Sequence, residues 1–301
     1  MHPRWHSSVS ILPFVALILL TAISPRSAGA VNLVPNDSFE SFNSCPVGFS
    51  NMSDCVSWYA PTTGTSDYYN ACTSGPNTPD VPTNNFGFQN ARTGVAYAGF
   101  IPYSSAADYR EYVETPLTSP LVANVIYTVK FYLSLADISN RSLDRIGAYL
   151  SVGPVGPVGN YAPLSYTPQI ESPANVYLND TVNWMLISGT YTAAGGEDHI
   201  VIGNFHDDAS TSFQLGPGNW AGGCNYFVDD VSVEVEPQVD QACCMPNGSC
   251  SLMTQGECQL AGGTPLGVGT NCDPNPCGDR DAAVELGRRE DDLPLIGAAA
   301  A

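Results

Sequence analysis

The chain has 301 residues, with 29 acidic against 10 basic side chains, a formal charge of −19, and ten cysteines. Such a surplus of negative charge repels phosphate backbones and anionic lipid, which argues against nucleic acid or a membrane surface as partner. Acidity spread along a chain serves solubility or tolerance of salt, and that is the role expected of it here.

Residues 1–30 read as a signal peptide. His2, Arg4 and His6 make a weakly basic start, Ile11 to Ile23 is an apolar run broken only by Pro13 and Thr21, and Ala28-Gly29-Ala30 offers small residues for cleavage. A run this short does not comfortably span ~30 Å of hydrocarbon, so a membrane anchor is the weaker reading. Removal of Arg4 and Arg26 leaves eight basic residues against 29 acids, or −21, with Lys130 the single lysine.

Residues 31–236 read as strands. Val125, Tyr127, Val129, Phe131, Leu133 and Leu135 share one face, while Ile126, Thr128, Lys130, Tyr132 and Ser134 share the other. Ile146 to Val152, Trp184 to Thr192, Ile200 to Phe205 and Phe227 to Val235 repeat this alternation. Clusters such as Gly153-Pro154-Val155-Gly156-Pro157 separate the strands. The expected fold is all-β: a jelly-roll β-sandwich of two antiparallel sheets. Trp58 to Phe100 reads differently, as a long loop rich in Thr, Asn, Pro and Tyr, of the kind that is functional or tied down.

Export implies an oxidising compartment and therefore disulfides. Cys45, Cys55, Cys72 and Cys224 allow three connectivities; the expected one closes a small loop between Cys45 and Cys55 and joins Cys72 to Cys224. Cys243, Cys244, Cys250, Cys258, Cys272 and Cys277 lie in a separate module, residues 237–278, poor in large apolar side chains. Three disulfides would supply the constraint that its small core cannot. Zinc is disfavoured, since the module has neither CxxC pairs nor histidines. Residues 279–301 read as a disordered tail.

No catalytic constellation stands out. There is no GxSxG, no HExxH and no phosphate-cradling glycine loop, and after cleavage only His199 and His206 remain, both placed at strand ends. The final strand holds a more specific feature. Phe227, Asp229, Val231 and Val233 share one parity, so Asp229 is expected to face the core, where a carboxylate needs a cation or hydrogen-bond donors. It could share calcium with Glu40 or cap backbone N–H groups, and the residues alone leave both readings open. Aromatic platforms and planar polar groups recognise sugars, and Trp58, Tyr68, Tyr69, Gln89, Arg92 and Arg110 are the ligand-binding candidates. Packing of the rings against the sandwich and buried Arg–carboxylate pairs are the competing readings, and Trp58 and Tyr97 suit a core.

The opening NLVPNDSFE and the closing YFVDDVSV resemble the two ends of the galactose-binding-like jelly roll found in many carbohydrate-binding modules. Between them, CVSWYAPTTGTSDYYNAC, FGFQNARTGVAYAGF, YREYVETPL and ISGTYTAAGGEDHIVIGNF resemble N-terminal modules of bacterial outer-surface proteins. The resemblance covers residues 32–235. It implies a structural calcium ion (Ca2+) at Glu40 and Asp229, with Asp230 beside them. The cysteine segment resembles a short repeat of exported bacterial proteins and implies no activity. The leading expectation is a secreted, non-catalytic module, extracellular or at the cell surface, that binds a polysaccharide or other extracellular glycan. The alternatives are a structural or adhesive surface protein without a small ligand, and an exported glycoside hydrolase.

Overall fold

The computed structural model describes residues 31–75, 77–236 and 239–277; the expected signal peptide and tail lie outside these residues. The strands are β1 (Asp67–Asn70), β2 (Thr83–Asn84), β3 (Gly87–Phe88), β4 (Ala96–Ser104), β5 (Tyr112–Pro116) and β6 (Ile126–Leu135). They continue as β7 (Arg141–Leu143), β8 (Gly147–Ser151), β9 (Ile170–Glu171), β10 (Met185–Thr192), β11 (His199–Gly203), β12 (Phe213–Leu215) and β13 (Gly223–Val235). The cysteine module adds β14 (Gln241–Cys244), β15 (Cys250–Met253), helix α1 (Gln255–Leu260) and β16 (Thr264–Pro265).

Two antiparallel sheets form the expected jelly-roll sandwich, one ordered β1-β4-β13-β6-β10 and the other β5-β11-β8-β9. The alternation predicted for β6 places its side chains as expected. Tyr127, Val129, Phe131, Leu133 and Leu135 are buried between the sheets with Ala148, Leu150, Ile200 and Ile202 from the facing sheet. Each large apolar side chain so buried contributes on the order of 1.5–3 kcal/mol.

Strand β13 departs from its predicted parity. Its register against β6 shifts between Asp229 and Ser232, and Asp230 takes a φ of 47°. Before this bulge Tyr226 and Val228 face the core, and after it Val231 and Val233 do. Phe227 instead joins Tyr69 and Tyr97 in a second apolar cluster on the outside of the five-stranded sheet. The inserted residue resets the two-residue alternation, so Asp229 points outward with Phe227, under the loop that precedes β4.

The Trp58–Phe100 segment is more structured than expected, because it contains β1 and the first half of β4. All four residues of β1 are buried, so no polar–apolar alternation marked it in the sequence. The opening segment lies beside the closing strand, as expected: the Leu33 N–H donates to the Val233 carbonyl and the Val231 N–H to the Asp37 carbonyl. It forms turns there rather than a strand.

Acidic side chains fasten many of the loops. Glu111 accepts the N–H groups of Thr65 and Ile101, Glu114 those of Val155 and Gly156, Asp144 that of Asn175 and Asp137 that of Phe88. Glu111, Glu114 and Asp144 are buried. Spread acidity is therefore a structural device here, since carboxylate oxygens supply acceptors for orphan backbone donors.

The connectivity in the sandwich corrects the expected one. Cys45 is bonded to Cys72, while Cys55 and Cys224 are free and buried. The Cys55 thiol instead receives the Asn36 side-chain amide, and Cys224 sits within the main core. Sequence proximity of Cys45 and Cys55 did not decide the pairing, because Cys55 turns into the core. In the module Cys243–Cys258 joins β14 to α1, while Cys244–Cys277 and Cys250–Cys272 tie β14 and β15 to the segment after β16. Thiol-specific alkylation should leave Cys55 and Cys224 unmodified in the native protein and modify both after denaturation without reductant. Peptide mapping that joins Cys72 to Cys224 would contradict this connectivity.

Candidate functional site

The aromatic candidates predicted from sequence are enclosed. Trp58 packs against Phe39, with ring centroids 4.7 Å apart, and its indole N–H donates to the Asn36 carbonyl. The Tyr68 hydroxyl donates to the Phe39 carbonyl. Tyr69 lies between Tyr97 and Phe227, at 5.1 and 5.3 Å, and donates its hydroxyl to Asp67. All three are at most 2% exposed. A ring without a solvent-facing side has no face to offer a sugar, so these three serve packing. Gln89 is likewise buried and accepts a hydrogen bond from Ser134.

Arg110 is fully buried, contrary to a ligand-binding role. Its guanidinium donates to the carbonyls of His206 and Tyr109 and to Thr211, and pairs with Asp208 at 3.0 Å. Burial of a guanidinium is tolerated because nearly every N–H has an acceptor. It pins the 206–211 loop to the start of β5.

Arg92 is different. Its guanidinium lies over the Tyr132 ring, 3.4 Å from the centroid, and is ion-paired with Asp230, yet its side chain stays one-third exposed. Thr93 adds a hydroxyl bond to Asp230. The loop carrying both is held by two acids. Asp229 accepts the N–H of Arg92, Thr93 and Asp230, and Glu40 accepts those of Val95 and Ala96. Gly94 completes the clasp: its φ is +65°, and a Cβ there would lie 2.2 Å from the Glu40 carboxyl. Asp230 faces the other way, toward Arg92, and not into the clasp with Asp229.

Arg92, Asp230 and Tyr132 form one wall of a shallow groove of about 340 Å³ on the outer face of the five-stranded sheet, with Lys130, Glu234 and Asn32 along its floor and rim. Lys130 lies 3.8 Å from Glu234, both part-exposed. The polar face continues across Thr128, Ser188 and Thr190. Sequence reasoning found Arg92 and missed Lys130 and Tyr132 as ligand candidates, although both fall on the non-core parity of β6. A larger cavity lies against the 123–126 turn and α1, but its one acid, Glu257, is committed to the Thr254 cap of that helix.

No family model matches the chain, and no curated protein matches it. Among solved structures, a cyclase from Fischerella sp. TAU, in complex with 4-(1H-indol-3-yl)butan-2-one, aligns at 15% identity with a TM-score of 0.40, over 69% of this chain and 98% of that one. The CBM22-1 xylan-binding domain of Paenibacillus barcinonensis Xyn10C aligns at 12% identity with a TM-score of 0.32, over 66% and 90%. TmCBM61, in complex with β-1,4-galactotriose, aligns at 15% identity with a TM-score of 0.30, over 69% and 100%. At TM-scores below 0.5 none of these likenesses carries an argument about this chain, and the groove is read on its own chemistry.

Two buried acids of the five-stranded sheet, Asp229 on β13 and Asp67 on β1, titrate high. Burial, then the neighbouring Asp230, pushes the Asp229 carboxyl up to about 8. Burial pushes Asp67 up to about 7 against the pull of the Ser50 N–H. Both bind a proton more tightly folded than unfolded, so the stability they contribute is lost as pH rises from about 4 through 7 to 8, at up to about 1.4 kcal/mol per pH unit for each group. Asp67→Asn keeps an acceptor for Ser50 and gives Tyr69 a donor. Its melting temperature should fall less than that of the wild type between pH 5 and 8; parallel curves would contradict the raised Asp67 value.

Proposed function

We propose that this chain is an exported, non-catalytic module that binds a polysaccharide, and that the groove on the five-stranded sheet is a binding site. The observation that carries the reading is the exposed Arg92 guanidinium, preorganised by Tyr132 and Asp230 beside Lys130, Glu234 and Asn32. Planar donors set next to carboxylate and amide acceptors match the vicinal hydroxyls of a sugar, which are donors and acceptors at once. The strand segment Thr128 to Tyr132 spans about 14 Å, long enough for an oligomer rather than one ring. The four disulfides among the described residues fit an oxidising compartment, which supports export.

A glycan array followed by isothermal titration tests this. Arg92→Ala and Lys130→Ala should each weaken binding about 10- to 100-fold, the worth of a hydrogen bond to a charged group, with melting temperatures little changed. Wild-type protein that binds no glycan, or three proteins that bind equally, would overturn the proposal. Release of reducing sugar from a polysaccharide panel would replace it with a hydrolase.

A structural calcium ion belongs to the same proposal. Among the described residues no three His, Cys, Asp or Glu side chains form a metal-holding group, so the ion would rest on the carboxylates of Glu40 and Asp229 and on backbone carbonyls. Asp229 is a buried acid whose neighbouring cation, Arg92, pairs with Asp230 instead. Its two oxygens accept the N–H groups of Arg92, Thr93 and Asp230, so an ion would have to share or displace those bonds. Calcium should then raise the melting temperature over that in chelator, by the equivalent of ~2.7 kcal/mol at 100 times Kd. The increment should vanish in Glu40→Gln. Superimposable melts would remove the ion.

A further inference from the structure

The connection between β8 and β9, residues 152–169, crosses the outer face of the four-stranded sheet and carries no charged side chain, in a chain of net charge −19. It is held closely along its length. Glu114 accepts the N–H of Val155 and Gly156, and the Val158 N–H donates to Pro61. Thr63 donates to the Asn160 carbonyl, Arg110 to the Tyr161 carbonyl, and the Leu164 N–H reaches the buried Tyr112 hydroxyl. Gln169 exchanges two hydrogen bonds with Leu150. Leu164, Val155 and Val158 pack inward on Tyr112, Val201 and Phe205. A connection this long inside a compact domain is functional or tied down, and this one is tied down while presenting rings outward.

Those rings are Tyr161, 46% exposed, and Tyr166, 42% exposed. Each is braced by a part-buried ring of the sandwich: Tyr161 by Tyr109 at 5.0 Å, and Tyr166 by Tyr149 in a stack at 4.5 Å. Bracing limits ring motion, so little conformational entropy remains to be lost when a ligand docks. The two pairs are separated across the sheet. Tyr112, three residues after Tyr109, is on β5, and Tyr149 is on β8, with β11 between them. Two strand spacings are about 10 Å. One sugar ring does not reach both pairs, whereas a chain of rings does. His206 and Glu171, hydrogen-bonded at 2.7 Å and each about one-quarter exposed, adjoin Phe205 and offer directed partners for hydroxyls.

We infer that this strap is a second glycan-binding face, on the opposite side of the sandwich from the groove, and that it takes an uncharged polysaccharide stacked along Tyr161 and Tyr166. The absence of charge selects the ligand class: sugar C–H faces dock on tyrosine rings without a counter-ion, while an acidic polymer finds no cation on the strap. The inference rests on the glycan-binding reading of the chain and makes the module bivalent, with one polymer contact per sheet.

Isothermal titration with soluble cellohexaose, xylohexaose and mannohexaose tests it through stoichiometry. The wild type should take two molecules of the preferred hexaose, and the double variants Tyr161→Ala/Tyr166→Ala and Arg92→Ala/Lys130→Ala one each. One molecule in the wild type, unaffected by the tyrosine substitutions, would overturn the strap while leaving the groove. One molecule lost with the tyrosines alone would overturn the groove while keeping the strap. No binding of any hexaose would end both readings. Should the double tyrosine variant melt early, the near-ultraviolet tyrosine spectrum of Arg92→Ala/Lys130→Ala, which keeps both strap rings, decides: it should shift on titration with the preferred hexaose, and an unchanged spectrum would refute ring stacking.

Discussion

Strand β13 lies between β4 and β6 at the centre of the larger sheet, and its bulge at Asp229–Ser232 governs what surrounds it. Without the extra residue, Asp229 would enter the apolar core with Val231 and Val233, where an unpaired carboxylate is costly. With it, Tyr226 and Val228 before the bulge and Val231 and Val233 after it all face the core. Asp229 turns out to receive the 92–93 loop and Asp230 reaches Arg92. The groove wall, the loop clasp and the closure of the core therefore share one backbone irregularity, of the kind that re-aims side chains next to functional sites.

A shortage of cations shapes the rest. Five Lys or Arg residues fall within the described region, and Arg110 is consumed by the 206–211 loop. Acids consequently find backbone N–H groups more often than ammonium or guanidinium partners, and long connections are fastened to the sandwich by single carboxylates such as Glu111, Glu114 and Glu40. This arrangement leaves Arg92 and Lys130 as part-exposed cations on the outer sheet face. It also lets an uncharged strap lie flat on the other sheet, because its fastening comes from beneath.

The glycan candidates read from sequence were chosen by residue type, and residue type does not report which way a ring faces. Tyr68 and Tyr69 are in a strand buried on both sides, so neither alternation nor composition separated them from exposed tyrosines. Lys130 and Tyr132 were legible in principle, since the period of β6 already set them on the face opposite Phe131 and Leu133. Tyr161 and Tyr166 stood in a stretch of glycine and proline that reads as punctuation. Only its unbroken neutrality set it apart from the acidic surroundings.

Side-chain alternation is a local property of extended chain, and it alone sufficed for the long strands β6, β8, β10 and β11, for the core faces of β6 and β11, and hence for the layered class of the fold. Which cysteines bond, which acids turn outward and which rings meet water were settled only by contacts between distant segments. Cys55 turns toward Asn36, Asp229 is redirected by a bulge, and Tyr161 is held by the backbone of Arg110. Those outcomes depend on how loops dock across the sandwich, where the deciding hydrogen-bond partners lie tens to more than a hundred residues away, beyond the reach of any local pattern.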